Sequence, residues 1–311
     1  MGLEIYNALP MHAAMLGDAV RHNAFACAIA QSVRPGDVVL DVGAGTGVLA
    51  MMAAQAGAAR VYAVEASPIA QIAEANAKGF GRRITVINER IEDVILPERV
   101  DVIVSEWLGA FGIDENLLPM ALIARDRWLK PSGKMLPQHV TALAMPIKAQ
   151  ALAGTQPIKT NATSAEPALR WAAQGLARNN GLAQQQHLWT TDVDHISLEA
   201  ARLPARAQLD FTAMQNGPLG GFVTWFDADF GEGTRLYNAP SALPTHWGQF
   251  IFTHSQAPFV AEGSAIKISL NTMPGAPGWC HHAWSINTEG APTEYHDTRG
   301  RSSAYPYPLR L

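Results

Sequence analysis

Short apolar runs and amphipathic stretches alternate along residues 36–140, and this alternation restricts the possible folds more than any other feature of the sequence. The runs are nearly all apolar, as expected for strands that are covered on both faces. Strands that alternate with helices in this way predict an α/β domain built on a parallel sheet. The predicted strands are VVLDV (38–42), VYAVE (61–65), ITVIN (84–88) and VDVIVSE (100–106), and the predicted helices cover 46–56, 67–78 and 116–128.

The pattern changes near Pro137. The later half contains short runs with partial alternation, separated by Gly, Pro and Asn turns, which is typical of a sandwich or barrel. We therefore divide the chain into an α/β domain, 37–137, and an all-β domain, 138–311, which agrees with two domains for 311 residues. An insertion rich in Ala, Gln and Asn is expected at about 150–193, with a helix over EPALRWAAQGLARNN (166–180).

Charge and cysteine content exclude several classes of protein. The chain has 23 Lys and Arg against 27 Asp and Glu, a net charge of −4, so no nucleic-acid partner is expected. Its two cysteines, Cys27 and Cys280, cannot form a disulfide framework, and no Cys/His cluster indicates a metal site. Because the sequence contains neither a signal-peptide pattern nor an apolar run of about 18 residues, we expect a cytoplasmic protein without a membrane partner.

The motif VVLDVGAGTGVLA places Gly43, Gly45 and Gly47 between a predicted strand and a predicted helix. Glycines let the backbone turn sharply and approach a ligand, and the first turn of a helix offers free N–H groups. Val48 stands where a dinucleotide-binding loop has its third glycine, which disfavours pyrophosphate recognition. Glu65, at the end of the next strand, is suitably placed to accept hydrogen bonds from two ribose hydroxyls.

The strand, the glycine loop and the acidic strand end together resemble class I S-adenosylmethionine-dependent methyltransferases. This favours S-adenosyl-L-methionine over a nicotinamide cofactor. Two simpler interpretations stay open, namely a tight turn that binds no ligand and an ordinary solvated acid at Glu65.

Glu106 and Glu115 are nine positions apart in the loop SEWLGAFGIDENLL. The carboxyl ends of the strands border the ligand crevice of an open α/β sheet, so both carboxylates can face the cofactor's cavity. Two like charges held together need a cation between them, and a planar guanidinium docks bidentately on carboxylates. The pair would also draw positive charge to one side and leave electron density on the attacking nitrogen. The competing interpretation is that both are surface acids.

The stretch SEWLGAFGIDENLL, with Trp107 and Gly109, closely resembles the double-glutamate loop of protein arginine methyltransferases. The segments HAAMLGDAVRH (12–22) and LPTHWGQFIF (243–252) are similar to two further parts of that family. The resemblance implies a Rossmann-like methyltransferase domain followed by an all-β barrel, with helices in 1–36 that cover the cofactor. It also implies N-methylation of the guanidino group of arginine in a protein or peptide.

The same resemblance implies roles for individual residues. Arg21 is expected to bind the methionine carboxylate, Glu92 to contact the adenine amino group, and His246 to pair with Asp18 and help proton release. On general grounds a lone His is more often structural, and a Trp more often belongs to the core. The expected catalytic residues are Glu106, Glu115, His246 and Asp18; the expected cofactor-binding residues are Tyr6, Met15, Arg21, Asp41, Gly43, Gly45, Glu65, Ala66, Ile91 and Glu92; the expected substrate-binding residues are Trp107 and Trp247.

Parts of the family pattern are altered in this chain. Tyr6 falls at the second tyrosine of the family's lid motif, but Gly2 and Leu3 occupy the places of its first tyrosine and its phenylalanine. Gln174 and Ala177 stand where tyrosine and aspartate are usual. Because the segment with Gln174 and Ala177 and the arm that follows it border the peptide-binding surface in the family, their alteration leaves open an unusual protein substrate or a free small guanidine such as arginine.

The dimerisation arm of the family corresponds to residues 178–193, which is short, so a homodimer is expected by analogy. Leu117 stands where a methionine is common, which leaves monomethyl and dimethyl products open. Two alternative functions are kept: N-methylation of free arginine or another small guanidine, and a non-catalytic binding module with the same fold.

Overall fold

The computed structural model of the protein describes residues 9–158, 169–173 and 176–298. In that part of the chain no helix is both long enough and apolar enough to cross a membrane. The three predicted helices are present as α3, α4 and α5, and each begins later than predicted. The described α-helices are α1 (Leu9–Gly17), α2 (Ala19–Ser32), α3 (Val48–Gln55), α4 (Ala70–Ala77), α5 (Leu118–Trp128) and α6 (Leu198–Ala201).

Five parallel strands form the sheet of the first half, in the order β3-β2-β1-β4-β5. Every residue of the central strand β1 is buried, as expected for a sheet covered on both faces. The predicted α/β domain with a parallel sheet is therefore confirmed. The strands are β1 (Val38–Val42), β2 (Arg60–Val64), β3 (Ile84–Ile87), β4 (Val100–Ser105) and β5 (Leu129–Leu136).

Strand β5 is absent from the prediction, because Pro131 and Gly133 are residues that usually interrupt a strand. The strand lies at the edge of the sheet and pairs with β4, with a register shift between Val100 and Val102. A proline is tolerated in such an edge position, because one side of the strand needs no N–H donor.

The later half is built from two antiparallel sheets, which confirms a β domain after the Rossmann-like domain. The smaller sheet contains, in order, β10 (Ala205–Thr212), β15 (Ala265–Pro274), β16 (Cys280–Thr288) and β17 (Glu294–Asp297). The larger sheet contains, in order, β7 (Gln156–Pro157), β8 (Leu169–Ala172), β13 (Gln249–Thr253), β11 (Gly217–Asp229), β6 (His139–Lys148) and β9 (Gln186–Asp192), while β12 (Arg235–Tyr237) and β14 (Phe259–Val260) also pair with β11.

The helix expected over 166–180 is wrong for residues 169–173 and 176–177, and only Arg178–Asn180 form a short 3-10 helix. Residues Leu169–Ala172 form β8, which pairs with β13, and the Trp171 indole donates a hydrogen bond to the Trp247 carbonyl at 2.7 Å. This pairing of distant segments outweighs the helix propensity of the Ala-rich sequence. Residues 186–192 of the expected arm form β9, which pairs with β6 inside the larger sheet.

The two halves share one buried core. Phe226, Phe230 and Trp247 of the β half belong to the same apolar cluster as α2 and the parallel sheet. The rings of Phe25 and Phe230 meet edge to face with centroids 4.9 Å apart. This packing fixes the loop before β13 relative to the carboxyl ends of the parallel strands.

Candidate active site

A cavity of about 310 Å³ lies at the carboxyl ends of β1, β2 and β4. Its wall combines residues from α1 and α2, from the turns after these strands and from the loop before β13. Asp18 and Asp41 are absent from its lining, and Tyr6 lies outside the described residues. The predicted site residues that line the cavity are Met15, Arg21, Gly43, Gly45, Glu65, Ala66, Ile91, Glu92, Glu106, Trp107, Glu115, His246 and Trp247.

The turn after β1 depends on glycine. Gly43, Gly45 and Gly47 have φ angles of +72°, +54° and +83°, which L-residues with a side chain rarely adopt. The Gly45 N–H donates to Oε2 of Glu65 at 2.9 Å, and the Ser67 N–H donates to Oε1 of the same carboxylate at 2.8 Å. Two backbone amides therefore hold an acidic group in a fixed orientation at the cavity wall.

Helix α1 lies directly over this turn. A Cβ added at Gly45 would come within 3.1 Å of Cε1 of His12, a buried residue that the sequence analysis missed. Met11, Met15 and Leu16 of the same helix also line the cavity. The i, i+4 spacing of Met11 with Met15 places them on one helical face, and this spacing is a signal that could have identified α1 as a cavity wall.

Asp41 is the penultimate residue of β1, is fully buried and does not line the cavity. Its Oδ2 accepts the Ala50 N–H at 2.9 Å, whereas its Oδ1 has no hydrogen-bond partner among the described residues. Burial raises the pKa of Asp41 to about 7, and the nearby negative charge of Glu65 acts in the same direction. Asp41 thus ties β1 to the first turn of α3, the helix that follows the glycine turn.

The loop between the two glutamates is closed around Asp114. The Gly109 N–H donates to the Gly112 carbonyl at 2.8 Å, and the Asp114 carboxylate accepts the Ala110 and Phe111 N–H groups at 2.9 Å each. A Cβ at Gly109 would lie only 2.5 Å from that carboxylate, so the loop requires glycine there. Burial raises the pKa of Asp114 to about 6 despite these hydrogen bonds.

Glu106 is fixed through both of its carboxylate oxygens. Oε1 accepts the Leu108 N–H at 2.9 Å, while Oε2 lies 3.2 Å from both Nε and Nη2 of Arg21. The Glu106 side chain is 9% exposed and the Arg21 side chain is 7% exposed, so the ion pair is buried. Arg21 is predicted to bind the cofactor and Glu106 the substrate, and the structure links the two residues directly.

The loop before β13 contributes His246 and Trp247. The Asp18 Oδ2 accepts both the backbone N–H and Nδ1–H of His246, and the Trp247 indole donates to the Leu108 carbonyl at 2.6 Å. The Trp247 ring also meets Phe226 edge to face. The β half thereby attaches to the segment that follows Glu106.

Other cavity residues carry no motif in the sequence, because they are brought together by the fold alone. Among the described residues no group of three or more His, Cys, Asp or Glu side chains could hold a metal ion. The lining residues that were not predicted as site residues include Met11, His12, Leu16, Ala44, Thr46, Ser67, Arg90, Ser105, Leu117, Met120 and Pro277.

Two family descriptions match this chain. Residues 39–133 match the methyltransferase domain family, and residues 156–286 match the arginine methyltransferase oligomerization subdomain. The first match corresponds to the α/β half of the structure and the second to the β half.

Curated relatives cover most of the chain. It is 33% identical over 299 residues to the probable protein arginine N-methyltransferase 6.2 of Oryza sativa subsp. indica, and the match covers 78% of this chain and 74% of the relative. It is 34% identical over 299 residues to the protein arginine N-methyltransferase PRMT10 of Arabidopsis thaliana, and the match covers 82% of this chain and 78% of the relative.

Solved structures are similar over almost the whole chain. Arabidopsis thaliana protein arginine methyltransferase 10 superimposes with a TM-score of 0.77 at 27% identity, covering 95% of this chain and 98% of that structure. The Trypanosoma brucei PRMT1 enzyme-prozyme heterotetrameric complex with AdoHcy gives 0.80 at 25% identity, with coverage of 94% and 98%.

Proposed function

The chain belongs to the protein arginine N-methyltransferase family, and we propose that it transfers a methyl group from S-adenosyl-L-methionine to the guanidino group of arginine in a protein or peptide. The proposal rests on one cavity that has the glycine turn on one side and two glutamates on the other. Gly45 and Glu65 line one side, and Glu106 and Glu115 line the side next to the loop before β13. A nucleoside cofactor and a cationic acceptor would therefore meet in one enclosed space.

The residues on the glycine side fit this cofactor. The Glu65 carboxylate is held by two backbone N–H groups and is suited to accept hydrogen bonds from a ribose diol. Arg21 supplies a buried positive charge for a carboxylate, and Met15 and Ile91 supply apolar wall. When bound, the cofactor supplies a methyl group on a positively charged sulfur, which is open to attack by a nitrogen lone pair.

Glu106 and Glu115 are the residues that select and activate the acceptor in this proposal. Both are acidic groups that line the cavity, and buried hydrogen bonds of the Asp114 carboxylate order the loop between them. Glu106 already accepts from the Arg21 guanidinium, so an acceptor guanidinium would share this carboxylate with Arg21. Charge drawn toward the carboxylates leaves electron density on the nitrogen that faces the methyl group. Attack of this nitrogen on the methyl group of a bound cofactor would form the N–C bond, release the sulfur as a neutral thioether and leave one N–H proton to be removed.

His246 is placed to assist the release of that proton. It lines the cavity, and its Nδ1–H donates to the Asp18 carboxylate at 2.8 Å, which leaves Nε2 as the nitrogen that can accept a proton. The negative charge of Asp18 would stabilise the imidazolium that results. In this pair, His246 is the base and the Asp18 carboxylate supplies the negative charge that stabilises its protonated form.

The direct test uses labelled S-adenosyl-L-methionine with an arginine-rich peptide and, separately, with free arginine. We expect methyl transfer to the peptide, and we expect Glu115→Gln to abolish turnover while S-adenosylhomocysteine still binds. Glu98→Gln serves as a matched control, because Glu98 pairs with Arg60 away from the cavity. Transfer to free arginine alone would favour the small-molecule alternative, and cofactor binding without any transfer would favour a binding module.

We further infer a homodimer. The segment 156–286 matches a family described as an oligomerization subdomain, and the Trypanosoma brucei relative forms a heterotetrameric complex. Light scattering of the purified protein tests this inference, and a monomer at every concentration measured would contradict it.

A further inference from the structure

The hairpin between β15 and β16 lies against the segment that carries Glu115. The Gly278 N–H donates to the Glu115 carbonyl at 2.7 Å, and Nδ2 of Asn116 donates to the Gly275 carbonyl at 2.8 Å. The buried thiol of Cys280 donates to the Ile113 carbonyl at 3.4 Å. Three hydrogen bonds thus join the hairpin to three of the four residues 113–116.

The hairpin turn is itself well ordered by internal bonds. The Gly275 N–H donates to the Trp279 carbonyl at 3.2 Å, and the Trp279 N–H donates to the Ala276 carbonyl at 3.0 Å. Gly278 has a φ of +92°, which allows the chain to reverse, and Pro277 lines the cavity at an exposed position. The turn is therefore both a rigid support and part of the cavity mouth.

Asn116 holds a backbone conformation that few residues accept. Its φ is +52°, in the left-handed region where asparagine and glycine are favoured. The residue before Glu115 is fixed as well, because the Asp114 carboxylate accepts two backbone N–H groups inside the loop. Glu115 is consequently bonded to the hairpin through its own carbonyl and lies between one neighbour that is anchored inside its loop and another that is anchored to the β domain.

We propose that Asn116 is a positioning residue, which holds Glu115 toward the acceptor by tying it to the β15–β16 hairpin. This inference rests on the proposed function, because it assumes that Glu115 binds the guanidinium. Without the Asn116 amide, the Gly275 carbonyl loses its donor, and the hairpin holds this segment only through Glu115 and Ile113, so the Glu115 carboxylate can shift from its position. A carboxylate that is displaced by a fraction of an ångström binds a planar cation less well, and the loss falls on the acceptor rather than on the cofactor.

Two substitutions separate this role from a general loss of stability. Asn116→Gly accepts the left-handed backbone without strain and removes only the side chain, so its Tm should stay close to that of the wild type. Asn116→Asp keeps the shape but turns a carboxylate toward the Gly275 carbonyl. Asn287→Asp is the matched control, because Asn287 makes one amide hydrogen bond to Thr293 within the β half and does not line the cavity.

The experiment measures acceptor KM and kcat with the peptide, and the fraction of active sites by titration with S-adenosylhomocysteine. We expect the acceptor kcat/KM of Asn116→Gly to fall about tenfold, largely through KM, with a larger fall for Asn116→Asp and almost none for Asn287→Asp. S-adenosylhomocysteine affinity should be unchanged in all three. Wild-type kinetics in Asn116→Gly, or a fall in kcat that simply follows a reduced active fraction, would overturn the inference. An inactive wild type would overturn the proposed function first, and this inference with it.

Discussion

The Asp18 carboxylate links the two halves of the protein, because its Oδ2 accepts both the backbone N–H and Nδ1–H of His246 at 2.8 Å each. Its Oδ1 accepts the Arg21 N–H and caps α2. Burial favours a higher pKa for Asp18, but the hydrogen bonds from His246 and Arg21 outweigh it, and the pKa is lowered from its usual value. Asp18 is therefore ionised at neutral pH.

Asp18→Asn should lower kcat by about tenfold or more and leave S-adenosylhomocysteine affinity nearly unchanged. Asparagine is a good helix cap, so α2 should persist, while the counter-charge beside His246 is lost. Because the folded pKa of Asp18 is depressed, the stability that the wild type gains from its charge should be present at neutral pH and disappear only below about pH 4. Asp192→Asn, which removes the exposed partner of His195, should leave kcat unchanged. Equal kcat values for the two variants would remove the functional role of the Asp18–His246 pair.

Arg21→Lys should weaken S-adenosylhomocysteine binding by about tenfold and lower Tm, since one ammonium cannot reproduce the two guanidinium contacts with Glu106. Arg60→Lys is the control, because the pair of Arg60 with Glu98 is largely exposed. Calorimetric titration of both variants measures the difference. Unchanged affinity in Arg21→Lys would show that Arg21 has no part in holding the cofactor.

Gly45→Ala should reduce cofactor affinity by at least about tenfold, because its Cβ combines an unfavourable φ of +54° with a contact 3.1 Å from His12. Gly36→Ala shares the backbone strain, with a φ of +97°, but its Cβ would meet nothing within 4 Å. Both variants should lose about 1 kcal/mol of stability, and only Gly45→Ala should lose affinity. Comparable binding by the two proteins would show that α1 does not need to pack on the turn.

Asp41→Asn should change how stability depends on pH. Because the folded pKa of Asp41 is raised to about 7, the folded state holds a proton that the unfolded state has already released, and wild-type stability falls as pH rises from about 4 to about 7. The asparagine variant lacks this loss. Its stability relative to the wild type should therefore increase across that window and level off above it, which urea unfolding at several pH values measures. Parallel curves for the two proteins would refute the assignment.

The parallel sheet could be predicted from the sequence because its signals are local. Val38–Val42 and Val100–Ser105 are nearly continuous apolar runs, and the glycines that follow the first run predict a sharp turn at the strand end. The positions of Glu65 and Glu106 in the cavity follow from the rule that the carboxyl ends of strands border the crevice. The part of the wall that His246 and Trp247 form depends on the β half.

The remaining features depend on contacts between distant segments. Trp171 lies in a strand and not in a helix because β13 pairs with it, and the Asn116 amide meets Gly275 across 159 positions of sequence. In both pairs, no sequence motif indicates that the two segments are in contact. His12 was missed for the same reason, since its packing against Gly45 exists only once α1 is laid over the sheet.

The hydrogen bond from the Trp247 indole to the Leu108 carbonyl has a consequence for the protein during synthesis. A chain still emerging from the ribosome, with only its first 140 residues made, would possess the glycine turn and both glutamates but would lack the indole, the hairpin and the β-half residues of the shared core. Such a nascent chain would leave arginine unmodified, so that catalytic competence arrives only after the β15–β16 hairpin has been made.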